Sequence, residues 1–386
     1  MDLLNGCFLV NLQKERTMKI WKTLLIIALF IGVACETDDS NLVDDTQDIS
    51  FDRGAMLVHW ADNFIIPSYT DFSVKVSGLD ESIITFNTAP SLEGLQSVRE
   101  NWLVAYRSFQ KVSMFEIGKA ETLNYRNRLN VYPANASGIH ELITAGVWNF
   151  DLPSTIDEQG FSALDYLLNG LGSDEETVAF YTTNPESENA KNYLKALSAT
   201  IKSLTNEVLN DWNTSFRAIY VVNTSSSATG AVDQTVNAFM FYYEKALRAG
   251  KVGIPAGVFS TNPLPQNVEG FFKENESKLL LQDALSATRN FFNGFGIQAG
   301  PGLKAYLDTL NSVKNGSDLS TLINNQFDAS ETKINALSAN FSEQVLQDNS
   351  KMLSTYDELQ RNVILLKVDM LQALGIDINY VDADGD

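Results

Sequence analysis

Histidine and cysteine are nearly missing from this 386-residue chain, which has two of each: His59, His140, Cys7 and Cys35. "GIHELITAG" at 138–146 opens like the zinc-protease helix H-E-x-x-H, but position 144 is Thr and His59 lies some eighty residues upstream. Two histidines one helical turn apart are what such an ion needs, so a catalytic zinc is excluded on spacing. A Ser-His-Asp set would need the same two imidazoles, and no G-x-S-x-G elbow supports either of them. No phosphate-cradling G-x-x-x-x-G-K-[ST] loop occurs, and no strand precedes a glycine cluster that could hold a dinucleotide. Basic residues are scarce too, with 28 Lys and Arg against 48 Asp and Glu and a net charge of −20. Phosphate backbones need basic patches, so nucleic acid is not an expected partner.

Long hydrophobic runs are absent except at the N-terminus, where Lys19 and Lys22 precede "TLLIIALFIGVA" at 23–34 and then Cys35. That run is too short to span a bilayer and fits the core of a signal peptide, with Met18 as the expected true start. Ala34-Cys35 resembles the lipobox of bacterial lipoproteins, with Gly32 where Leu is usual. Cys35 is thus the expected lipidation site and the only cysteine of the mature chain, which excludes a disulfide framework and a Cys-rich zinc site. The tract "ETDDSNLVDDTQD" after it should be a solvated tether, and it resembles the acidic export signal of surface lipoproteins of the Bacteroidetes. Loss of residues 1–34 takes the net charge to about −22.

Proline is sparse, and the long Pro-free stretches carry apolar residues at helical spacing, so the expected class is all-α. In "LQSVRENWLVAYRSFQKVSMF", Leu95, Val98, Trp102, Ala105, Phe109 and Val112 recur at three and four residues and lay one apolar face along a helix. Five further stretches follow the same rule: 189–216, 233–250, 276–295, 319–341 and 356–375. Only "AIYVVNT" at 218–224 has β-branched character. The small-residue stretch 223–234 is the candidate boundary between a first helical bundle at 51–222 and a second at 223–386, behind the signal peptide at 1–34 and the tether at 35–50. The closing "DADGD" imitates a calcium loop with the wrong spacing.

In "EQGFSALDYLLNG" at 158–170, Phe161, Leu164 and Leu168 form an apolar stripe, and Ser162, Asp165 and Asn169 line the adjacent face. Taken alone, that polar row reads as a solvent face. The segment resembles the G-x-H-x-x-E motif of the imelysin family, with Ser162 where His stands and Asp165 where Glu stands. Other stretches resemble the family in order: "NFIIPSYTDF" the opening helix, "VRENWLVAYRSFQKVSMFEIGKAE" the Trp-containing helix ending in Phe-x-x-Gly, "LNVYPAN" the Trp-Pro segment with Tyr132 for Trp, "NAFMFYYEKALRAGKVGIPAG" the Asn…Glu…Lys-x-Gly-x-Pro block, and the C-terminus from Leu365 the ending of Bacteroidetes members.

The resemblance implies two four-helix-type bundles in an outer-membrane lipoprotein exposed at the cell surface, with the periplasmic face as second choice. It also implies a link to iron or haem uptake, with iron, haem or another small ligand and envelope iron-transport proteins as partners, and only a lipid anchor in the membrane. The family's first member was described as a peptidase. Here the motif's imidazole is gone, and Ser113 stands where the family has a further Glu, so the density of metal ligands falls. The expectation is a non-enzymatic binding protein with a cleft between the bundles, lined by Ser162, Asp165, Asn237, Glu244, Lys251, Ser113 and Tyr132. A peptidase and a structural or adhesive surface protein are the alternatives. Glu244 and Lys251 could equally be surface charges, Asn237 a helix bridge, and Ser162 with Asp165 a structural contact between bundles.

Overall fold

A computed structural model describes residues 50–380. The expected signal peptide with Met18, the expected lipidation site at Cys35, the tether up to position 49 and the acidic tail from position 382 lie outside the described residues. The chain folds as helices packed on helices, and among the described residues the only β-strands are Val313–Lys314 and Ser317–Asp318, which pair antiparallel. They flank Asn315 and Gly316, both at positive φ, the two-residue turn that an Asn-Gly pair favours. "AIYVVNT" forms no strand; its first residues close a helical turn at Arg217–Tyr220.

Ten helices carry the architecture: α1 Arg53–Trp60, α2 Ile66–Thr88, α3 Leu92–Phe109, α4 Ala136–Ala145, α5 Gly160–Asn169, α6 Ser187–Asp211, α7 Ala231–Phe241, α8 Ser277–Asn293, α9 Leu319–Asn335 and α10 Phe341–Val363. Wider π-helical turns continue four of them, at Ala61–Ile65, Trp212–Phe216, Tyr242–Gly253 and Ile364–Met370. In the first half α2 packs along α3 and α6, and α5 lies between α3 and α6. In the second, the π segment 242–253 and α9 flank α10, and α8 packs on α9. The chain between Tyr220 and Ala231 is turn and loop, so α7 begins inside the small-residue stretch 223–234.

Local chemistry sets the helix ends. The Ser91 hydroxyl caps α3 by accepting from Gly94 N at 3.1 Å, one of the donors a first turn leaves unpaired. All six stripe residues of this helix are buried, but Val112 is so as part of a turn, because i→i+3 bonds from Lys111 to Ser108 and from Val112 to Phe109 tighten the backbone after Phe109. Rings join the two halves. Phe291 of α8 lies 4.8 Å from Trp60, 5.5 Å from Phe64, 5.2 Å from Phe115 and 5.7 Å from Phe239 between ring centroids. Such aromatic pairs add about 0.5–1.5 kcal/mol each beyond the area they bury. Among the described residues no helix is long and apolar enough to cross a membrane.

Candidate functional site

Helix α5, the "GFSALD" helix, is buried on every side from Gly160 to Leu168, so the polar row Ser162–Asp165–Asn169 is not a solvent face. Its first residue has φ +76° and sits where a Cβ would lie 2.3 Å from the Leu129 carbonyl oxygen, a position open only to glycine. Phe161 fills the first-half core, stacked on Tyr106 at 4.6 Å and tilted against Phe72 and Phe109. The Asp165 carboxylate crosses to the second half, accepting from Phe272 N and Lys273 N at 2.9 Å each, and from Asn169 Nδ2 at 3.0 Å. Burial pushes this carboxyl up to about 7, against the pull of those donors. The Ser162 Oγ is buried with no hydrogen-bond partner among the described residues.

The other predicted residues fall into two further groups. Asn237 bridges to the C-terminal segment: its Nδ2 donates to the Asp233 and Asp377 carbonyls, and its Oδ1 accepts from Asn379 N, each at 3.0 Å. Glu244 is fully buried and meets Lys245, Lys367 and the Tyr380 hydroxyl within 3.1 Å. Neither Glu244 nor Lys251 is a surface charge.

Lys251, Ser113 and Tyr132 come together. They line one cavity of about 300 Å³ with Phe109, Gln110, Arg126, Asn130, Phe241, Tyr242 and Lys245 among its walls. The turn after α3, the cis Tyr132–Pro133 corner and the π segment 242–253 supply these residues. A Cβ at Gly250 would sit 3.3 Å from the Tyr132 hydroxyl, so the missing side chain lets the phenol approach.

The floor is a closed polar network. Lys251 Nζ donates to Glu269 Oε2 and, at 2.9 Å, to Gln110 Oε1. Glu269 Oε1 also accepts from Asn130 Nδ2 at 2.7 Å and Gln110 Nε2 at 3.2 Å, and Tyr106 donates to Asn130 Oδ1. Burial lowers the Lys251 ammonium and Glu269 opposes the shift. Burial also pushes the Tyr132 phenol well above its usual range, with the Glu269 charge adding to it.

Sequence reasoning missed Gln110, Arg126, Asn130, Tyr242, Lys245 and Glu269. Arg126, Asn130 and Tyr132 all fall within "NYRNRLNVYP", a cluster of donors at a Pro corner, which was the available signal. Glu269 was illegible, because only the buried Lys251 makes its partner necessary.

Among the described residues no three His, Cys, Asp or Glu side chains lie together as metal ligands. His59 Nε2 lies 3.1 Å from the Gly294 carbonyl oxygen, and His140 Nε2 lies 2.7 Å from the Tyr166 hydroxyl. Amides, hydroxyls and cations line the cavity, and the one α5 carboxylate is saturated by N–H donors. This donor set does not fit an iron ion.

Helices packed on helices, with one short hairpin among the described residues, define an all-α fold. The imelysin (peptidase M75) family model matches residues 65–365, and the chain belongs to that family. An imelysin-like protein of Psychrobacter arcticum shares the fold at a TM-score of 0.66 and 17% identity, over 85% of this chain and 97% of that one. A Parabacteroides distasonis protein, proposed as an iron-regulated protein A precursor, also gives 0.66, at 18% identity over 82% and 95%. Iron-regulated protein A of Synechococcus elongatus is 20% identical over 156 residues, 40% of this chain, and the chain spans only 43% of that protein.

Proposed function

We propose that this protein is a non-enzymatic binding component of the cell envelope, associated with iron uptake and anchored through Cys35, which holds a small organic ligand in the cavity between its halves. The observation that carries the reading is the cavity itself. It has a preorganised floor in which buried polar groups answer one another, beside walls whose Tyr132 hydroxyl and Arg126 guanidinium are available to a guest. At about 300 Å³ it lies at the small end of the range for small-molecule sites, which suits a metabolite better than a porphyrin. The iron association rests on the name of the Synechococcus relative and on the family. Because the donor set does not fit a metal ion, iron would reach this protein inside an organic ligand.

The reading is non-enzymatic because the serine that stands in place of the motif's histidine has no base in contact with it: Ser162 Oγ meets no partner among the described residues, and nucleophilic catalysis needs a base within hydrogen-bond reach. Calorimetric titration of the purified protein with ferric chloride and with a mixture of iron-free and iron-loaded carboxylate chelators tests the reading. Binding of a chelator but not of the bare ion is expected, together with expression that rises under iron starvation. Tight binding of ferric ion alone would overturn it.

A further inference from the structure

The cavity has a charge opposite to that of the chain around it. In a protein with a net charge of −20, its lining includes Arg126, Lys245 and Lys251 but no Asp or Glu. Carboxylates do answer these cations, but from behind the wall. Glu269 holds Lys251, Glu244 holds Lys245, and Glu116 lies 4.0 Å from the Arg126 Nη1. A guest therefore meets the cationic side of each pair.

Arg126 is the least committed of the three. Its Nη1 donates to the Ser113 carbonyl at 3.2 Å, and its guanidinium lies over the Phe241 ring at 4.9 Å. No further side-chain donor of Arg126 has a partner among the described residues, and the side chain is 11% exposed. With Phe241 it also lines a second cavity of about 190 Å³, which includes Asn237 and Tyr380. The Arg126–Phe241 pair is thus the partition between two compartments. With its carbon over the Phe241 ring and one N–H given to the Ser113 carbonyl, the guanidinium keeps further N–H donors in its own plane, the fork that a planar carboxylate matches with two parallel bonds.

We propose that the 300 Å³ cavity selects small organic carboxylates, with the Arg126 guanidinium as the anchor, the Tyr132 hydroxyl as a neutral donor, and Phe109, Phe241 and Ile254 taking the apolar body. The inference rests on the reading of this cavity as a ligand site and adds the charge of the guest. In the partly desolvated wall, an anion at Arg126 gains more than it would beside a surface arginine, and a cation of the same shape is repelled.

Three probes of nearly one shape separate the terms: benzoate, benzamide and benzamidine, each titrated by calorimetry or ligand-detected NMR into the full-length protein. Benzoate is expected to bind at least tenfold more tightly than benzamide, and benzamidine not to bind. Arg126→Gln should cost benzoate at least tenfold and benzamide, which loses a hydrogen bond but no charge pairing, clearly less, with Arg126→Lys intermediate because a point charge replaces the fork. Circular dichroism and thermal melting establish that each variant folds. Equal binding of benzoate and benzamide, or benzoate affinity unchanged in Arg126→Gln, would overturn the anion selectivity while the cavity remained a ligand site. Absence of binding by all three probes at millimolar concentration would overturn the selectivity and the ligand-site reading together.

Discussion

Two of the regions that carry residues singled out by the family resemblance use them differently. In α5, the segment that matches the family's G-x-H-x-x-E motif, the polar groups are absorbed by the fold: Asp165 pins the loop at 272–273, and Ser162 meets nothing. Around the Tyr132–Pro133 corner and the π segment 242–253, the polar groups instead face a cavity over a closed network. Both regions bury charge, yet only the second sets polar side chains around this cavity. On the proposed reading, a motif that has lost its imidazole is a poor guide to where a guest binds. Surrounding geometry decides what the remaining carboxylate is for.

The largest expected effect lies in the network. Lys251→Met leaves Glu269 buried without its cation and should cost about 3–5 kcal/mol in urea unfolding, whereas the Lys251→Met, Glu269→Leu double variant should recover most of the loss. If the single and double variants lost the same amount, the pair would not be coupled. Next comes the clamp. Asp165→Ala strands the Phe272 and Lys273 amides and should cost about 2–4 kcal/mol, and an unchanged unfolding midpoint would show that the loop is held by other contacts.

The pH dependence sharpens the same contrast. Burial raises the Asp165 carboxyl to about 7 in the fold, above about 3.9 in an unfolded chain, so folding takes up a proton between those values. This group's contribution to stability therefore grows as pH falls from about 7 towards 4 and is lost as pH rises through the folded value. The stability gap between the native protein and Asp165→Ala should widen towards pH 5. A gap constant from pH 8 to 5 would refute the shift. The smallest effect belongs to Ser162→Ala, which removes an unanswered buried hydroxyl and should leave stability within about 0.5 kcal/mol or raise it slightly. A loss above about 2 kcal/mol would reveal a bonded water or partner at that hydroxyl.

Much of the fold was legible in the sequence, because apolar spacing in stretches such as 95–112 and 276–295 reports burial directly, and those stripes are buried. The Asn315–Gly316 pair is a hairpin signal in the sequence too. The helix ends were less so, since α3 stops at Phe109 without a Pro or Gly to announce it. For the site, spacing placed Ser162 and Asp165 on one face of a helix. It could not tell that α5 has neighbours on all sides, because a short helix with small polar residues looks alike whether water or a backbone loop faces it. Lys251 lies more than a hundred residues after Ser113 and Tyr132 in the chain and meets them only through the packing of the two halves.

The central claim is that the guest binds at the Tyr132 corner and not at the "GFSALD" helix. The measurement that tests it most directly is benzoate affinity in Tyr132→Phe and Ser162→Ala, compared with the native protein under one buffer condition. The account predicts a loss of roughly fivefold to tenfold in Tyr132→Phe, the worth of one buried hydrogen bond, and no change in Ser162→Ala. Native affinity in Tyr132→Phe with lost affinity in Ser162→Ala would contradict it.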